Sequence, residues 1–170
     1  MKAERILVPL DGSPLAETAL PKAVELLSNG PGSTLILLRA AEARVLPGVD
    51  LIEAQVAVVR EAESYLATVA DRLREQGIPR IVRSVWYSRA ASAIVEAAQV
   101  RRVNLIVMST HGRSGVRRAL RGSVAESVRR RTRTPILLVS AGGAVEMAAP
   151  ADPGLPRPVP TPVAGGGQDT

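Results

Sequence analysis

The chain has 170 residues, a formal net charge of +6, no cysteine and no phenylalanine. This length suits one domain with a sizeable core, and the lack of cysteine excludes disulfides and thiolate metal sites. The first residues lack the apolar stretch of a secretory signal, and no apolar run reaches the roughly 18 residues that span a bilayer. We therefore expect a soluble, cytoplasmic protein that does not associate with a membrane.

Apolar runs bounded by polar residues predict buried strands along the chain. They cover residues 5–10, 34–38, 81–86, 105–108 and 135–139. Between them, apolar residues that recur every three or four positions predict helices, which begin near residues 13, 52, 88 and 123. Pro21 predicts a kink in the first helix, and Ser88 is the expected cap of the third. Strands that alternate with helices predict an α/β fold, a single parallel five-stranded sheet with helices on both faces.

Two loops carry small and polar residues at predicted strand ends. The first is Asp11-Gly12-Ser13, after the first strand, and the second runs from residue 109 to 115, just past the end of the fourth strand. Glycines there leave backbone N–H groups free to face an anion. Ser123 and Glu126 have the spacing of a capping box, which would start a helix with its positive end toward the second loop.

The spacing Ser109-x2-Gly112-x9-Gly122-Ser123 resembles the nucleotide signature of the universal stress protein family, G-x2-G-x9-G-[ST]. Ser109 stands where that signature has its first glycine. The resemblance extends to the first-strand loop and covers roughly residues 3 to 140. It implies a flavodoxin-like or Rossmann-like doubly wound sheet with strand order 3-2-1-4-5. In such a sheet the ligand binds where the first and fourth strands end, at the point where the winding reverses.

The residues predicted to bind the ligand follow from these loops and from the resemblance. The resemblance places Ala40 against an adenine, and Arg113 could grip a phosphate with two hydrogen bonds. His111, the single histidine, is expected to make a loop hydrogen bond and not to bind a metal. The predicted binding residues are Pro9, Leu10, Asp11, Ser13, Ala40, Met108, Ser109, His111, Gly112, Arg113, Gly115, Gly122, Ser123 and Val124.

The resemblance implies binding of ATP, ADP or AMP, with Mg²⁺ held through the phosphates. No paired carboxylates, no nucleophile with a base and no Walker lysine are visible in the sequence, so no catalytic residue is assigned. The expected function is a regulatory, adenine-nucleotide-binding module of the stress response, with slow hydrolysis of ATP or none.

Three alternatives remain at this point. Arginines between residues 113 and 133 could contact nucleic acid, although the few aromatic residues disfavour a stacking platform for single strands. A flavin carrier is disfavoured because the loops lack the aromatic residues that usually sandwich the isoalloxazine ring. A nucleotide-free universal stress protein that acts through protein partners is the third alternative.

The C-terminal segment differs in composition from the rest. Residues 1–140 are the predicted universal stress protein domain, and residues 141–170 are a proline-, glycine- and alanine-rich tail that we expect to be disordered. A chain that ends near Gly142 is therefore expected to keep its fold. The apolar run at residues 135–139 predicts an open edge strand, through which a homodimer would form.

Overall fold

The computed structural model describes residues 2–42, 48, 50–110 and 124–148. Within these ranges one sheet has six strands: β1 Arg5–Pro9, β2 Thr34–Ala40, β3 Ile81–Trp86, β4 Leu105–Thr110, β5 Ile136–Ser140 and β6 Val145–Ala148. The helices of the same ranges are α1 Pro14–Glu17, α2 Leu20–Leu26, α3 Leu51–Glu75, α4 Ala90–Val100 and α5 Val124–Arg129. None of these helices is long and apolar enough to cross a membrane.

The sheet order is β3-β2-β1-β4-β5-β6. Strands β1 to β5 are parallel, whereas β6 runs antiparallel to β5. The predicted α/β class and the order 3-2-1-4-5 of the first five strands are confirmed. Because β1 lies between β2 and β4, the winding reverses there, and a crevice forms beyond the carboxyl ends of β1 and β4.

Side chains alternate between the two faces of the sheet, and each face carries its own apolar cluster. The first cluster includes Ile6 and Leu37 and packs against α1, α2 and α3. The second includes Leu7 and Ile36 and packs against α4 and α5. Burial on both faces explains why the central strands are continuous apolar runs in the sequence.

Two helix starts differ from the sequence-based expectation. The first predicted helix is not kinked but divided into α1 and α2, and Pro21 lies in the first turn of α2, where its missing N–H breaks no helical hydrogen bond. The predicted cap by Ser88 is wrong. The residue that precedes α4 is Arg89, and the buried Ser88 hydroxyl has no hydrogen-bond partner in the described part of the chain.

Strands β2 and β4 are each two residues longer than predicted. Arg39 and Ala40 are the last residues of β2, and Ser109 and Thr110 are the last residues of β4. The prediction that Ser109 and Thr110 follow the strand is therefore corrected. Pairing with neighbouring strands continues past the end of the apolar run, and the sequence pattern does not record this pairing.

The sixth strand corrects two expectations about the C-terminal segment. Residues 145–148, assigned to the disordered tail, pair with β5 through a hairpin. Ala148 is buried, while Val145 and Met147 are each 47% exposed. Because β6 occupies the outer side of β5, the prediction of an open edge at residues 135–139 is wrong for the described sheet, and β5 has no free edge through which the predicted dimer could form.

Candidate functional site

A cleft of about 350 Å³ opens beyond the carboxyl ends of β1 and β4. This volume lies in the range of small-molecule sites. The described lining residues come from the ends of β1, β2 and β4, from the turn after β1, and from α1, α4 and α5. They are Pro9, Leu10, Asp11, Ser13, Leu15, Ala16, Leu38, Ala40, Ala90, Ile94, Met108, Ser109, Thr110, Val124 and Ala125.

Part of the lining is apolar and formed by small or aliphatic side chains. Leu38 and Ala40 alternate on one face of β2, and α4 brings Ala90 and Ile94 toward the same cleft. Met108 of β4 adds a polarizable side chain, which adapts to the shape of its neighbours. Such a surface suits the flat, weakly polar face of an aromatic ring system.

The turn after β1 supplies polar groups. The Asp11 carboxylate accepts a hydrogen bond from the Ser13 backbone N–H at 2.9 Å. The Ser13 hydroxyl accepts one from the Ala16 N–H at 3.1 Å and so caps α1. Gly12 joins the two residues with φ +88°, a conformation in which a side chain is strained.

On the opposite face of β2, the Arg39 guanidinium lies against the underside of this turn. A Cβ atom at Gly12 would be 3.0 Å from Nη1 of Arg39. Nη2 of Arg39 donates to Glu61 of α3 at 2.7 Å, and the guanidinium carbon lies 5.0 Å from the centre of the Tyr65 ring. Burial, together with the hydrogen bond from its hydroxyl to Glu17, raises the pKa of Tyr65.

Helix α5 forms the wall of the cleft next to β4. Val124 and Ala125 line the cleft, and Glu126 is buried beside them. Arg129 donates to Glu126 at 2.8 and 3.0 Å, and Arg130 donates at 2.6 Å. The hydrogen bond from Arg129 is the main cause that lowers the pKa of Glu126 to about 2, so this carboxylate stays ionised beside the cleft.

The structure brings the described part of the predicted site together. Pro9, Leu10, Asp11, Ser13, Ala40, Met108, Ser109 and Val124 all line the same cleft. The other predicted binding residues, His111, Gly112, Arg113, Gly115, Gly122 and Ser123, lie outside the described residues. That any of these residues binds a ligand remains a prediction.

Several lining residues were not predicted from the sequence. Ala90 and Ile94 belong to a helix whose apolar face was interpreted as core, and Leu38 was interpreted as part of a buried strand. Leu15, Ala16, Thr110 and Ala125 are the other additions. Their positions beside predicted strand ends and helix starts were a usable signal, because these ends meet at the crevice of a doubly wound sheet.

The described lining of the cleft is poor in ionisable groups. Among its described lining residues only Asp11 has an acidic or basic side chain. The described residues also hold no group of three or more His, Cys, Asp or Glu side chains that could bind a metal ion. The described lining therefore offers shape, apolar contact and hydrogen bonding, with no visible pair of acid and base.

The sheet order and the crevice at its point of reversal define a doubly wound α/β protein of the Rossmann-like type. The universal stress protein family profile matches residues 2–140, and the chain belongs to this family. A universal stress protein of Methanocaldococcus jannaschii, MJ0531, is 26% identical over 138 residues, which are 80% of this chain and 81% of that protein. Rv2005c of Mycobacterium tuberculosis is 33% identical over 138 residues, 78% of this chain but 44% of that longer relative.

Solved structures show the same fold. A universal stress protein in complex with cAMP superposes with a TM-score of 0.63 and 22% identity, covering 82% of this chain and 98% of its own. A universal stress protein family member of Arabidopsis thaliana with AMP bound has a TM-score of 0.57 and 14% identity, covering 79% of this chain and 90% of its own. At these identities the likeness concerns the fold alone.

Proposed function

We propose that this protein binds an adenine nucleotide, ATP, ADP or AMP, in the cleft between the ends of β1 and β4. In this proposal the adenine lies against the apolar wall that includes Ala40. Asp11 accepts a hydrogen bond from a ribose hydroxyl, and the phosphates extend toward residues 112–123. Nucleotide occupancy then makes the protein a regulatory module of the stress response.

The observation that carries the proposal is the division of the cleft into an apolar and a polar part. Leu38 and Ala40 of β2 line the cleft together with Ala90 and Ile94 of α4, and none of these four residues is ionisable. The turn at Asp11 and the hydroxyls of Ser109 and Thr110 supply polar atoms. A nucleotide has the same division, with a flat base at one end and a sugar and phosphates at the other.

The comparisons support the class of ligand. Proteins of the same fold are described with cAMP and with AMP, and both ligands contain adenine, ribose and phosphate. The sequence spacing from Ser109 to Ser123 adds an independent reason to extend the phosphates past the end of β4. Neither source distinguishes ATP from ADP or AMP, so the proposal covers all three.

Mg²⁺ would bind at this site only together with the phosphates of the nucleotide. Magnesium prefers oxygen ligands and commonly keeps one or two carboxylates together with substrate phosphates. The described lining offers one carboxylate, Asp11, beside the hydroxyls of Ser109 and Thr110. With a single ionisable group in the described lining, we propose slow hydrolysis or none.

Binding of nucleic acid receives less support from the described arginines. Arg129 and Arg130 both donate to the buried Glu126, and Arg131 donates to Ser92 at 3.2 Å. Part of the positive charge that favours nucleic acid in the sequence is therefore compensated inside the domain. A polyanion would have to compete with these contacts.

The decisive experiment measures nucleotide affinity by titration calorimetry for the parent and for Ala40→Phe. A phenyl ring at position 40 would occupy the slot, so we expect affinity to fall at least about thirtyfold, or about 2 kcal/mol. Val100→Phe is the matched control, because it adds the same ring to an α4 residue that is 69% exposed and lies outside the cleft lining. This control should bind as the parent does.

Two outcomes contradict the proposal. Failure of the parent to bind ATP, ADP or AMP at millimolar concentration would favour a nucleotide-free protein that acts through protein partners. Equal binding by Ala40→Phe and Val100→Phe, with both folded by circular dichroism, would place the nucleotide elsewhere.

A further inference from the structure

Arg39 is an enclosed arginine whose side chain lies on the α3 face of β2. Its side chain is 14% exposed. Arg39 directly precedes Ala40, the last residue of β2, which lines the cleft. Its Nη1 atom is buried and has no hydrogen-bond partner in the described part of the chain. A buried N–H group without a hydrogen-bond partner is unfavourable, so the presence of an arginine at this position requires an explanation.

The contacts of Arg39 connect the β1 turn to α3. One side of the guanidinium meets Gly12, where a Cβ atom would lie 3.0 Å from Nη1 and 3.4 Å from the guanidinium carbon. The guanidinium also hydrogen-bonds to Glu61 and lies over the Tyr65 ring. The turn that carries Asp11 and Ser13 therefore packs against the Arg39 guanidinium, and Glu61 and Tyr65 of α3 contact the same group.

A second connection joins the other end of α1 to the same helix. The Tyr65 hydroxyl donates to Glu17, the last residue of α1, at 2.9 Å, and Arg72 donates to the other oxygen of Glu17 at 2.6 Å. The short helix α1 therefore follows a turn that packs against Arg39, and its last residue, Glu17, is hydrogen-bonded to Tyr65 and Arg72. Both connections lead to α3, and both meet at Tyr65.

The charge of Arg39 lies close to the polar part of the cleft. The charges of Arg39 and Asp11 both influence the pKa of Tyr65: Arg39 lowers it and Asp11 raises it. A planar guanidinium can contact a carboxylate, an aromatic ring and a glycine backbone at once, whereas a lysine ammonium cannot.

We propose that Arg39 is a positioning residue of the nucleotide site, which supports the Asp11–Ser13 turn from the α3 face of β2 and so sets nucleotide affinity without contacting the nucleotide. This inference rests on the proposed function. In this proposal Ala40 contacts the ligand from one face of β2. Arg39, the preceding residue, positions the turn from the other face of the same strand.

The test compares Arg39→Met, which keeps length and apolar contact, with Arg39→Lys, which also keeps the charge. Titration calorimetry with ATP and adenosine should show about tenfold weaker binding of both ligands by Arg39→Met, and a loss of about threefold for Arg39→Lys. Arg74→Met is the matched control on α3, because Arg74 pairs with Asp71 at the surface. It should bind as the parent does.

A double-mutant cycle with Asp11→Ala separates positioning from a general structural role. If Arg39 acts through the turn, Arg39→Met should weaken binding less than about threefold once Asp11 is absent, because both substitutions remove the same contribution. Additive losses would overturn the proposal. The thermal midpoint of each variant shows whether it is folded at the temperature of the titration.

Glu61→Gln keeps the proposal testable if the Arg39 variants do not fold. Glu61 is 61% exposed, so its replacement leaves the core intact while weakening the hold on Arg39. Nucleotide affinity should fall about twofold to fourfold, and unchanged affinity would overturn the proposal. Failure of the parent to bind any adenine nucleotide would overturn the proposed function as well, whereas a parent that binds beside an equally tight Arg39→Met would overturn only this inference.

Discussion

The turn after β1 and the turn between β5 and β6 use the same local chemistry in different surroundings. In each, a side-chain oxygen accepts a backbone N–H: Asp11 accepts from Ser13, and Ser140 accepts from Ala144. Each also contains a glycine with positive φ, +88° at Gly12 and +80° at Gly143. A Cβ atom at Gly143 would meet nothing within 4 Å, whereas one at Gly12 would meet Arg39.

This difference distinguishes two constraints on a turn residue: the φ angle of the turn itself and the space that neighbouring side chains leave. At Gly143 the backbone alone requires glycine, and the hairpin is held by hydrogen bonds of its own chain segment. At Gly12 the backbone favours glycine in the same way, and an added methyl group would also press on the Arg39 guanidinium, 3.0 Å away. The turn in the cleft therefore contacts a side chain that is hydrogen-bonded to α3, while a methyl group added at Gly143 would touch no other described atom.

The largest expected effect comes from adding one methyl group to each turn. Gly12→Ala should lower the free energy of unfolding by about 2 to 3 kcal/mol, because the strained φ and the contact with Arg39 add. Gly143→Ala should lower it by about 1 kcal/mol, through φ alone. Urea unfolding followed by circular dichroism measures both values.

An Arg39→Ala background sharpens this comparison. Without the guanidinium, a methyl group at position 12 has space, so the two glycine substitutions should become about equally destabilising. A difference that persists in this background would show that Arg39 is not the cause.

The second prediction tests the hairpin by truncation. A chain that ends at Gly142 lacks β6 and should lose about 2 kcal/mol of stability, since the β5–β6 hydrogen bonds and the burial of Ala148 disappear. The sequence alone predicted no loss for this truncation. A chain that ends at Ala148 is the control and should unfold within about 0.5 kcal/mol of the full chain.

Light scattering on the same pair examines the exposed edge of β5. The chain that ends at Gly142 presents an unpaired apolar edge and should associate, whereas the chain that ends at Ala148 should not associate through this strand. Equal stability and equal mass of the two truncations would show that β6 contributes nothing to the sheet.

The third and smallest effect concerns acid, which acts on the α5 wall of the cleft through Glu126. The folded-state pKa of Glu126 is about 2, below its ordinary 4.5, so its ionic hydrogen bonds stabilise the fold above pH 4.5. This contribution is lost as the pH falls from about 4.5 through about 2. It amounts to about 1 to 2 kcal/mol, because the arginine partners are partly exposed to solvent.

Glu126→Gln is the variant that checks this assignment. It should be less stable than the parent at pH 7 and should show a shallower loss of stability between pH 4.5 and pH 2, as measured by urea unfolding at each pH. An unchanged pH dependence would assign the acid sensitivity to other carboxylates.

Most of the sheet could be predicted from the sequence because each central strand is buried on both faces. The apolar runs that contain Ile6, Ile36 and Ile106 cannot be amphipathic, and their alternation with helical stripes leaves few topologies. The loop Asp11-Gly12-Ser13 could be predicted for a different reason. Its residue types favour a turn and a helix cap without any contact to the rest of the chain.

What could not be predicted depends on partners distant in sequence. Strand β6 is four residues long with three of them exposed, so its own pattern is too weak, and only pairing with β5 orders it. In the sequence, Arg39 was interpreted as a polar residue that follows the second strand. No local pattern shows that it contacts Glu61, Tyr65 and Gly12. The apolar wall from α4 was interpreted as core, because a ligand slot and a core face have the same composition.

The position of β1 between β2 and β4 has a consequence for synthesis of the chain. Strand β1 is made first, and its edge toward β2 can close early, but its other edge waits for β4, where Ile6 pairs with Leu105 and Leu7 with Ile106. Until the ribosome has released residue 106, the nascent chain carries an apolar strand with one unpaired side. This interval, during which a chaperone could bind or two nascent chains could aggregate, ends only when most of the domain has been translated.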